Sequence, residues 1–119
     1  MHALSPRIAI VDDDAAVRDS TRLLLEVAGC CVETFASPCD FLARAANSNF
    51  DRLILDQHMP HLTGLELAKR LRATGNTMPI MLITGALTPD IVKRANEMHL
   101  EKVAEKPASA TDLMRFVAP

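Results

Sequence analysis

Residues 7–14 read RIAIVDDD, a short apolar run that leads into three consecutive aspartates. The run is rich in β-branched residues and shows no alternation, which is typical of a strand buried on both faces of a parallel sheet. We predict this strand over residues 7–12. Asp14 is placed to cap a following helix that Gly29 ends. Apolar and small residues of that helix recur at helical spacing: Val17, Thr21, Leu24, Leu25 and Ala28.

The same strand-then-helix pattern continues along the chain. Apolar runs predict further strands over residues 31–35, 52–56, 79–84 and about 102–105. A helix start follows each run, at Ser37–Pro38, Gly64, Thr88–Pro89 and Ser109. Strands that alternate with helices imply right-handed βαβ crossovers and a parallel sheet covered on both faces. We therefore predict a doubly wound α/β fold with five strands and five helices, forming one domain over residues 1–119.

The composition is that of an ordinary globular domain. The 119 residues are 49% hydrophobic and 24% charged, with a formal net charge of −2. This charge gives no support to nucleic-acid binding, which usually appears as a basic patch, and no apolar stretch is long enough to span a membrane. The cysteines, at positions 30, 31 and 39, form no metal-binding motif. The N-terminal segment, MHALSPR, lacks the apolar run of a signal peptide. Together with the unpaired pattern of the cysteines, this predicts a reducing, cytoplasmic location.

Reactive side chains stand at the ends of four predicted strands. Asp12 and Asp13 end the first, Asp56 the third and Thr84 the fourth, and Lys106 follows the fifth. Ligands of open parallel sheets bind in the crevice outside the carboxyl ends of the strands, so these side chains are expected to converge. Carboxylate oxygens suit a hard cation such as Mg²⁺, and a carboxylate can also be the nucleophile toward a phosphoryl group. The set therefore predicts a site for a divalent cation and a phosphoryl group.

Four motifs give the chain a clear family resemblance. They are VDDD at 11–14, LDQHMPHLTG at 55–64, ITGA at 83–86 and EKP at 105–107. With these motifs the sequence resembles the receiver domain of bacterial two-component response regulators over nearly its whole length. Residues 17–42 look most like regulators of the nitrogen-fixation type. The resemblance implies a flavodoxin-like sheet with strand order 2-1-3-4-5.

The resemblance also implies a role for each site residue. Asp56 would accept a phosphoryl group from the phosphohistidine of a sensor histidine kinase, and the domain would later hydrolyse the acyl phosphate itself rather than act as an enzyme on other substrates. Mg²⁺ would be bound by Asp12, Asp13, Asp56 and the backbone carbonyl of His58. Thr84 and Lys106 would contact the phosphoryl group. Phosphorylation would then change the partners of the face formed by the fourth helix, fifth strand and fifth helix, often through dimerisation.

Two departures from the family pattern keep a second hypothesis open. Val103 occupies the position of an aromatic residue that couples to the threonine in the family, and the chain contains no Tyr or Trp. His99 and Leu100 replace a pair of small residues before the fifth strand. A degenerate receiver that works only as an interaction module, without phosphorylation, is the resulting alternative.

A third hypothesis is a small phosphohydrolase of the haloacid-dehalogenase type. These enzymes also use an aspartyl phosphate, Mg²⁺, a Thr or Ser and a Lys. The sequence Asp12-x-Asp14 matches their first-strand motif, but Ala16 stands where Thr or Val is expected. A further acidic motif and a cap domain are also missing from the pattern, which favours the receiver interpretation.

Overall fold

The structure, a computed structural model, describes residues 5–46 and 48–118. The strands are β1 (Arg7–Val11), β2 (Cys31–Phe35), β3 (Arg52–Asp56), β4 (Ile80–Thr84) and β5 (Lys102–Glu105). The helices are α1 (Ala15–Val27), α2 (Pro38–Ala45), α3 (Gly64–Ala73), α4 (Pro89–Glu97) and α5 (Ala110–Val117). Within the described residues, no helix is both long and apolar enough to cross a membrane.

The five strands form one parallel sheet in the order β2-β1-β3-β4-β5, which confirms the predicted fold class and strand order. The register pairs Val11 with Leu55, and Thr84 with Glu105. The carboxyl ends of β1, β3, β4 and β5 therefore meet at the same edge of the sheet. This edge is where the sequence places its reactive side chains.

Alternate residues of each strand pack against two separate helix layers. One face of the sheet packs against α2, α3 and α4, with Phe41, Leu67 and Ile91 among the buried contacts. The other face packs against α1 and α5 through Leu25 and Phe116. Because both faces are covered, the central strands β1, β3 and β4 carry buried apolar residues at successive positions, which explains their continuous runs in the sequence.

The helix starts follow the predicted caps. The side chains of Asp14, Ser37, Thr88 and Ser109 each accept a hydrogen bond from a backbone N–H in the first turn of the following helix. The third helix begins as predicted at Gly64, and Thr63 and Glu66 form a reciprocal capping box there.

Two strand boundaries differ by one residue from those predicted. β1 ends at Val11 rather than at Asp12, whose carbonyl accepts a 2.7 Å hydrogen bond from the Arg18 guanidinium instead of continuing the strand ladder. β4 begins at Ile80 rather than Pro79, because proline has no N–H to donate to a ladder. The sequence also predicts a polar turn over residues 47–51. Its first residue, Asn47, lies outside the described residues, as do the segment 1–4 and residue 119.

Candidate functional site

Three carboxylates lie together at the carboxyl edge of the sheet. Asp12 directly follows β1 and Asp56 ends the adjacent β3, and the two residues are only 4% and 2% exposed. Asp13 is exposed at the rim. One carboxylate oxygen from each of the three lies within 4.8 Å of the others. The convergence expected from the strand ends is therefore present in the fold.

Lys106, the residue directly after β5, also reaches this cluster, although β5 lies two strands away from β3. Its ammonium nitrogen is 3.1 Å from Asp56 Oδ1 and 3.7 Å from Asp12 Oδ2. The backbone N–H of Lys106 donates a 2.8 Å hydrogen bond to the carbonyl of Thr84, which fixes the start of the β5–α5 loop against β4. One cation therefore faces two buried carboxylates.

The electrostatics of the site follow from burial and crowding. Burial raises the pKa of the Asp12 carboxyl; the hydrogen bond from the Asp14 N–H opposes this shift, and the charges of Asp56 and Asp13 add to it. Partial burial disfavours the charged Lys106 ammonium. The hydrogen bond to Asp56 and the nearby carboxylate charges outweigh that effect, so the pKa of Lys106 is raised. The cluster carries more negative charge than one lysine neutralises.

The donor set fits a hard divalent cation. Within the described residues, Asp56 Oδ2 is buried and has no hydrogen-bond partner, which is uncommon for a carboxylate oxygen in a protein interior. The donors around it are all carboxylate oxygens, the ligands that Mg²⁺ and Ca²⁺ prefer. An acidic pocket of this composition can bind a metal ion, and the ion would offset the repulsion among the three carboxylates.

Thr84 is fully buried at the end of β4, the strand between β3 and β5. Its hydroxyl is 3.1 Å from the Nε2 atom of His58 and forms hydrogen bonds with both the carbonyl and the N–H of Ala86, at 3.1 and 3.2 Å. The backbone N–H of His58 donates to Asp56 Oδ1 at 3.3 Å. The loops after β3 and β4 are therefore tied to each other and to the acidic cluster.

Two residues near the site carry structural roles that the sequence analysis missed. Gln57 is buried, and its side-chain oxygen accepts a 2.8 Å hydrogen bond from the Leu65 N–H at the start of α3. A Cβ atom at Gly64 would lie 2.5 Å from the carbonyl oxygen of Asp56. A polar residue directly after an apolar strand was the available signal for Gln57, whereas only the path of the loop reveals the close approach at Gly64.

The positions that depart from the family pattern also have a defined structure. Val103 is partly buried and packs against the core on the side of α2, α3 and α4. His99 has a φ of 57°, a left-handed conformation that favours glycine. Leu100 is buried in the same core. The turn before β5 therefore contains a left-handed residue even though its side chains are large.

Comparisons with known proteins agree with this geometry. Residues 8–118 match the family described as the response regulator receiver domain. The response regulator MprA of Mycobacterium ulcerans is 38% identical over 111 residues, which are 93% of this chain but only 44% of that protein. The chain thus spans less than half the length of this curated relative.

Solved structures are similar over most of the chain. A CheY-like response regulator receiver domain protein from Methanospirillum hungatei is 30% identical with a TM-score of 0.86, covering 93% of this chain and 89% of that one. The chemotaxis protein CheY4 of Vibrio cholerae is 28% identical with a TM-score of 0.86, covering 93% and 94%. By family match, sequence identity and fold, the chain belongs to the response regulator receiver domain family of two-component signalling.

Proposed function

We propose that residues 1–119 form a single receiver domain that accepts a phosphoryl group on Asp56 from a sensor histidine kinase in a Mg²⁺-dependent reaction. The observation that carries this proposal is the state of the Asp56 carboxylate. One of its oxygens is held by Lys106 at 3.1 Å, and the other is buried without a hydrogen-bond partner beside two further carboxylates. This leaves Oδ2 as the nucleophile.

The reaction transfers a phosphoryl group between two side chains. An Asp56 oxygen forms a bond to phosphorus while the bond between phosphorus and the kinase histidine nitrogen breaks, and the electron pair of that bond returns to the imidazole. Mg²⁺, when bound, would supply positive charge to the phosphoryl oxygens. Asp12, Asp13, Asp56 and the carbonyl of His58 would hold it.

Lys106 and Thr84 contribute by position. The phosphoryl group carries its negative charge on the equatorial oxygens, so fixed positive charge and hydrogen-bond donors aimed at them lower the barrier. The ammonium of Lys106, already in contact with Asp56, is placed to follow those oxygens. The Thr84 hydroxyl, held nearby at the end of β4, is the neutral donor. Apart from its own phosphorylation and dephosphorylation, the domain has no catalytic role.

The output is a change of partners at the face formed by α4, β5 and α5, through which the phosphorylated domain dimerises. Large apolar side chains are exposed on two of these elements, at Val92 of α4 and Met114 of α5. Leu87, in the loop before α4, is also exposed. Apolar groups that water surrounds in the monomer favour association when a conformational change aligns them.

Intact-mass measurement after incubation with Mg²⁺ and acetyl phosphate tests the proposal. The expected result is a single phosphoryl adduct on the wild type that is absent from Asp56→Asn. Asp19→Asn, which removes an exposed carboxylate on α1, serves as the matched control and is expected to be modified like the wild type. An adduct that persists in Asp56→Asn would defeat the site assignment.

A second candidate function rests on Val103, which has no ring to couple to Thr84. A degenerate receiver predicts measurable Mg²⁺ binding with no adduct in the wild type.

Turnover of a generic phosphate ester would instead support the phosphohydrolase hypothesis. The likeness to nitrogen-fixation regulators stays a prediction.

A further inference from the structure

The imidazole of His58 connects the loop after β3 with the loop after β4. Its Nε2 atom lies 3.1 Å from the hydroxyl oxygen of Thr84. The ring also lies close to Gly85, the residue after Thr84, since a Cβ atom built on Gly85 would be 4.0 Å from His58 Cδ2. The contact joins residues 26 positions apart in sequence. His58 lies two positions after Asp56, and Thr84 is the residue expected to sense phosphorylation.

Hydrogen-bond capacity decides how this contact is made. A threonine hydroxyl has one proton to donate and two lone pairs to accept with. Near Thr84 Oγ1 lie the carbonyl oxygen of Ala86, the N–H of Ala86 and the Nε2 atom of His58. All these groups are satisfied together when Thr84 donates to the Ala86 carbonyl and accepts from both the Ala86 N–H and the Nε2–H of the His58 tautomer that carries its hydrogen there. In that arrangement the hydroxyl has no capacity left for a phosphoryl oxygen.

We propose that His58 is a positioning residue that holds Thr84 in the arrangement of the unphosphorylated domain. This inference rests on the proposed function, because its consequence concerns phosphorylation of Asp56. To donate its proton to a phosphoryl oxygen, the Thr84 hydroxyl must leave the Ala86 carbonyl and turn toward Asp56. The hydrogen bond from His58 opposes that movement and so lowers the fraction of molecules in the activated conformation.

The surroundings of Thr84 make His58 the relevant side chain. Thr84 is fully buried, and the side chain within hydrogen-bonding distance of its hydroxyl is that of His58, the other partner being the backbone of Ala86. Val103, on the neighbouring strand β5, is paired with Leu82, and its side chain carries no polar atom. Beside the backbone of Ala86, the side chain that opposes movement of Thr84 is therefore the exposed imidazole of His58 at the edge of the site.

Beryllofluoride, a phosphoryl analogue, tests the proposal when its Mg²⁺-dependent affinity is measured by ¹⁹F NMR. His58→Phe keeps a ring but removes the N–H, and His58→Ala removes both. Both are expected to bind beryllofluoride more tightly than the wild type, by about 2- to 10-fold, the equilibrium effect of losing one typical hydrogen bond. In a Thr84→Val background, His58→Phe should have no further effect.

Each alternative has its own signature. Tighter binding by His58→Ala alone would mean that the ring acts by bulk, and weaker binding by both variants would mean that His58 contacts the phosphoryl group directly; either result overturns the proposal. His61→Asn, which removes a histidine from the same loop at a residue with a φ of 72°, is the control and should bind like the wild type.

A second measurement needs no phosphoryl analogue. Amide hydrogen exchange at Ala86 in the unmodified domain should be about 2- to 10-fold faster in His58→Phe than in the wild type, because the Ala86 N–H bonds to the hydroxyl that His58 holds. Unchanged exchange at Ala86 would refute the proposal. If the wild type fails to bind beryllofluoride while the exchange result holds, the proposed function fails and the role of His58 toward Thr84 stands.

Discussion

The ammonium of Lys106 lies 3.1 Å from Asp56 and 3.7 Å from Asp12, so a single cation neutralises parts of two buried carboxylates. Lys106→Met should therefore reduce phosphorylation of Asp56 while leaving Mg²⁺ binding intact, because the carboxylate ligands remain. It should also lower the free energy of unfolding without Mg²⁺ by about 1.5–3 kcal/mol, the range for a hydrogen bond to a charged group.

Adduct formation by mass, Mg²⁺ titration by calorimetry and urea unfolding measure these three effects of Lys106→Met separately. Lys102→Met is the control, because Lys102 is on β5 but forms only a surface pair with Asp112 at 3.8 Å. Its expected change in stability is within about 1 kcal/mol. Loss of folding in Lys106→Met, rather than loss of phosphorylation, would show that the role of Lys106 is structural.

Asp12→Asn should stabilise the metal-free domain at neutral pH. The pKa of Asp12 is raised, first by burial, so the stability that this carboxyl contributes is fully present below its ordinary value of 3.8 and is lost as the pH rises through the folded-state pKa. Asparagine removes the charge and keeps an oxygen to accept the 2.9 Å hydrogen bond from the Asp14 N–H.

Urea unfolding in EDTA between pH 4.5 and pH 7 is the measurement for Asp12→Asn. The advantage of the variant should grow as the pH rises and should shrink or reverse when Mg²⁺ is added, since the wild type then gains a ligand. If the stability difference between Asp12→Asn and the wild type stays constant across this pH range, the destabilisation is not caused by the charge of Asp12.

Gln57→Leu should lower the free energy of unfolding by about 1–3 kcal/mol, because it leaves a buried N–H of Leu65 without its acceptor. Asn76→Ala removes a similar side-chain acceptor from the Met78 N–H at an exposed position, where water can replace it. That control should change stability by no more than about 0.5 kcal/mol. Equal effects in urea unfolding would show that burial of the Gln57 amide does not matter.

Gly64→Ala should be destabilising although alanine is the better helix former. The added Cβ would lie 2.5 Å from the backbone oxygen of Asp56 and 2.7 Å from Leu82 Cδ1, so the end of β3 must shift at a cost of about 1–3 kcal/mol. A Cβ atom at Gly85 would lie no closer than 4.0 Å to the side chain of His58, and Gly85→Ala should fold with nearly wild-type stability. A stable Gly64→Ala variant with unchanged phosphorylation would contradict the close packing seen here.

Dimerisation of the activated domain should depend on the exposed apolar residues of α4 and α5. Val92→Glu and Met114→Glu are each expected to weaken the beryllofluoride-induced dimer by about tenfold or more, equivalent to roughly 1.4 kcal/mol. Val27→Glu, on α1, is more exposed than either and should leave the dimer unchanged. Sedimentation equilibrium measures the dissociation constant of the dimer. Equal weakening by all three variants would mean that the interface is not specific to α4 and α5.

Much of the fold and the convergence of the candidate site follow from patterns that are local in sequence. Continuous apolar runs predicted strands buried on both faces, and capping residues such as Asp14 and Ser109 marked the helix starts. Since parallel strands all end at one edge of the sheet, the positions of Asp56, Thr84 and Lys106 in the sequence were sufficient to predict that they meet. The strand order came from the family resemblance.

The contacts that organise the site belong to the tertiary structure alone. The hydrogen bond from Gln57 to the start of α3, the approach of Gly64 to Asp56 and the contact between His58 and Thr84 each join different elements or loops. Propensity and periodicity report on neighbours along the chain, whereas these contacts depend on the path of a loop and on which rotamer the packing allows. The sequence by itself determined which chemical groups reach the edge of the sheet; only the folded chain decided which of them touch.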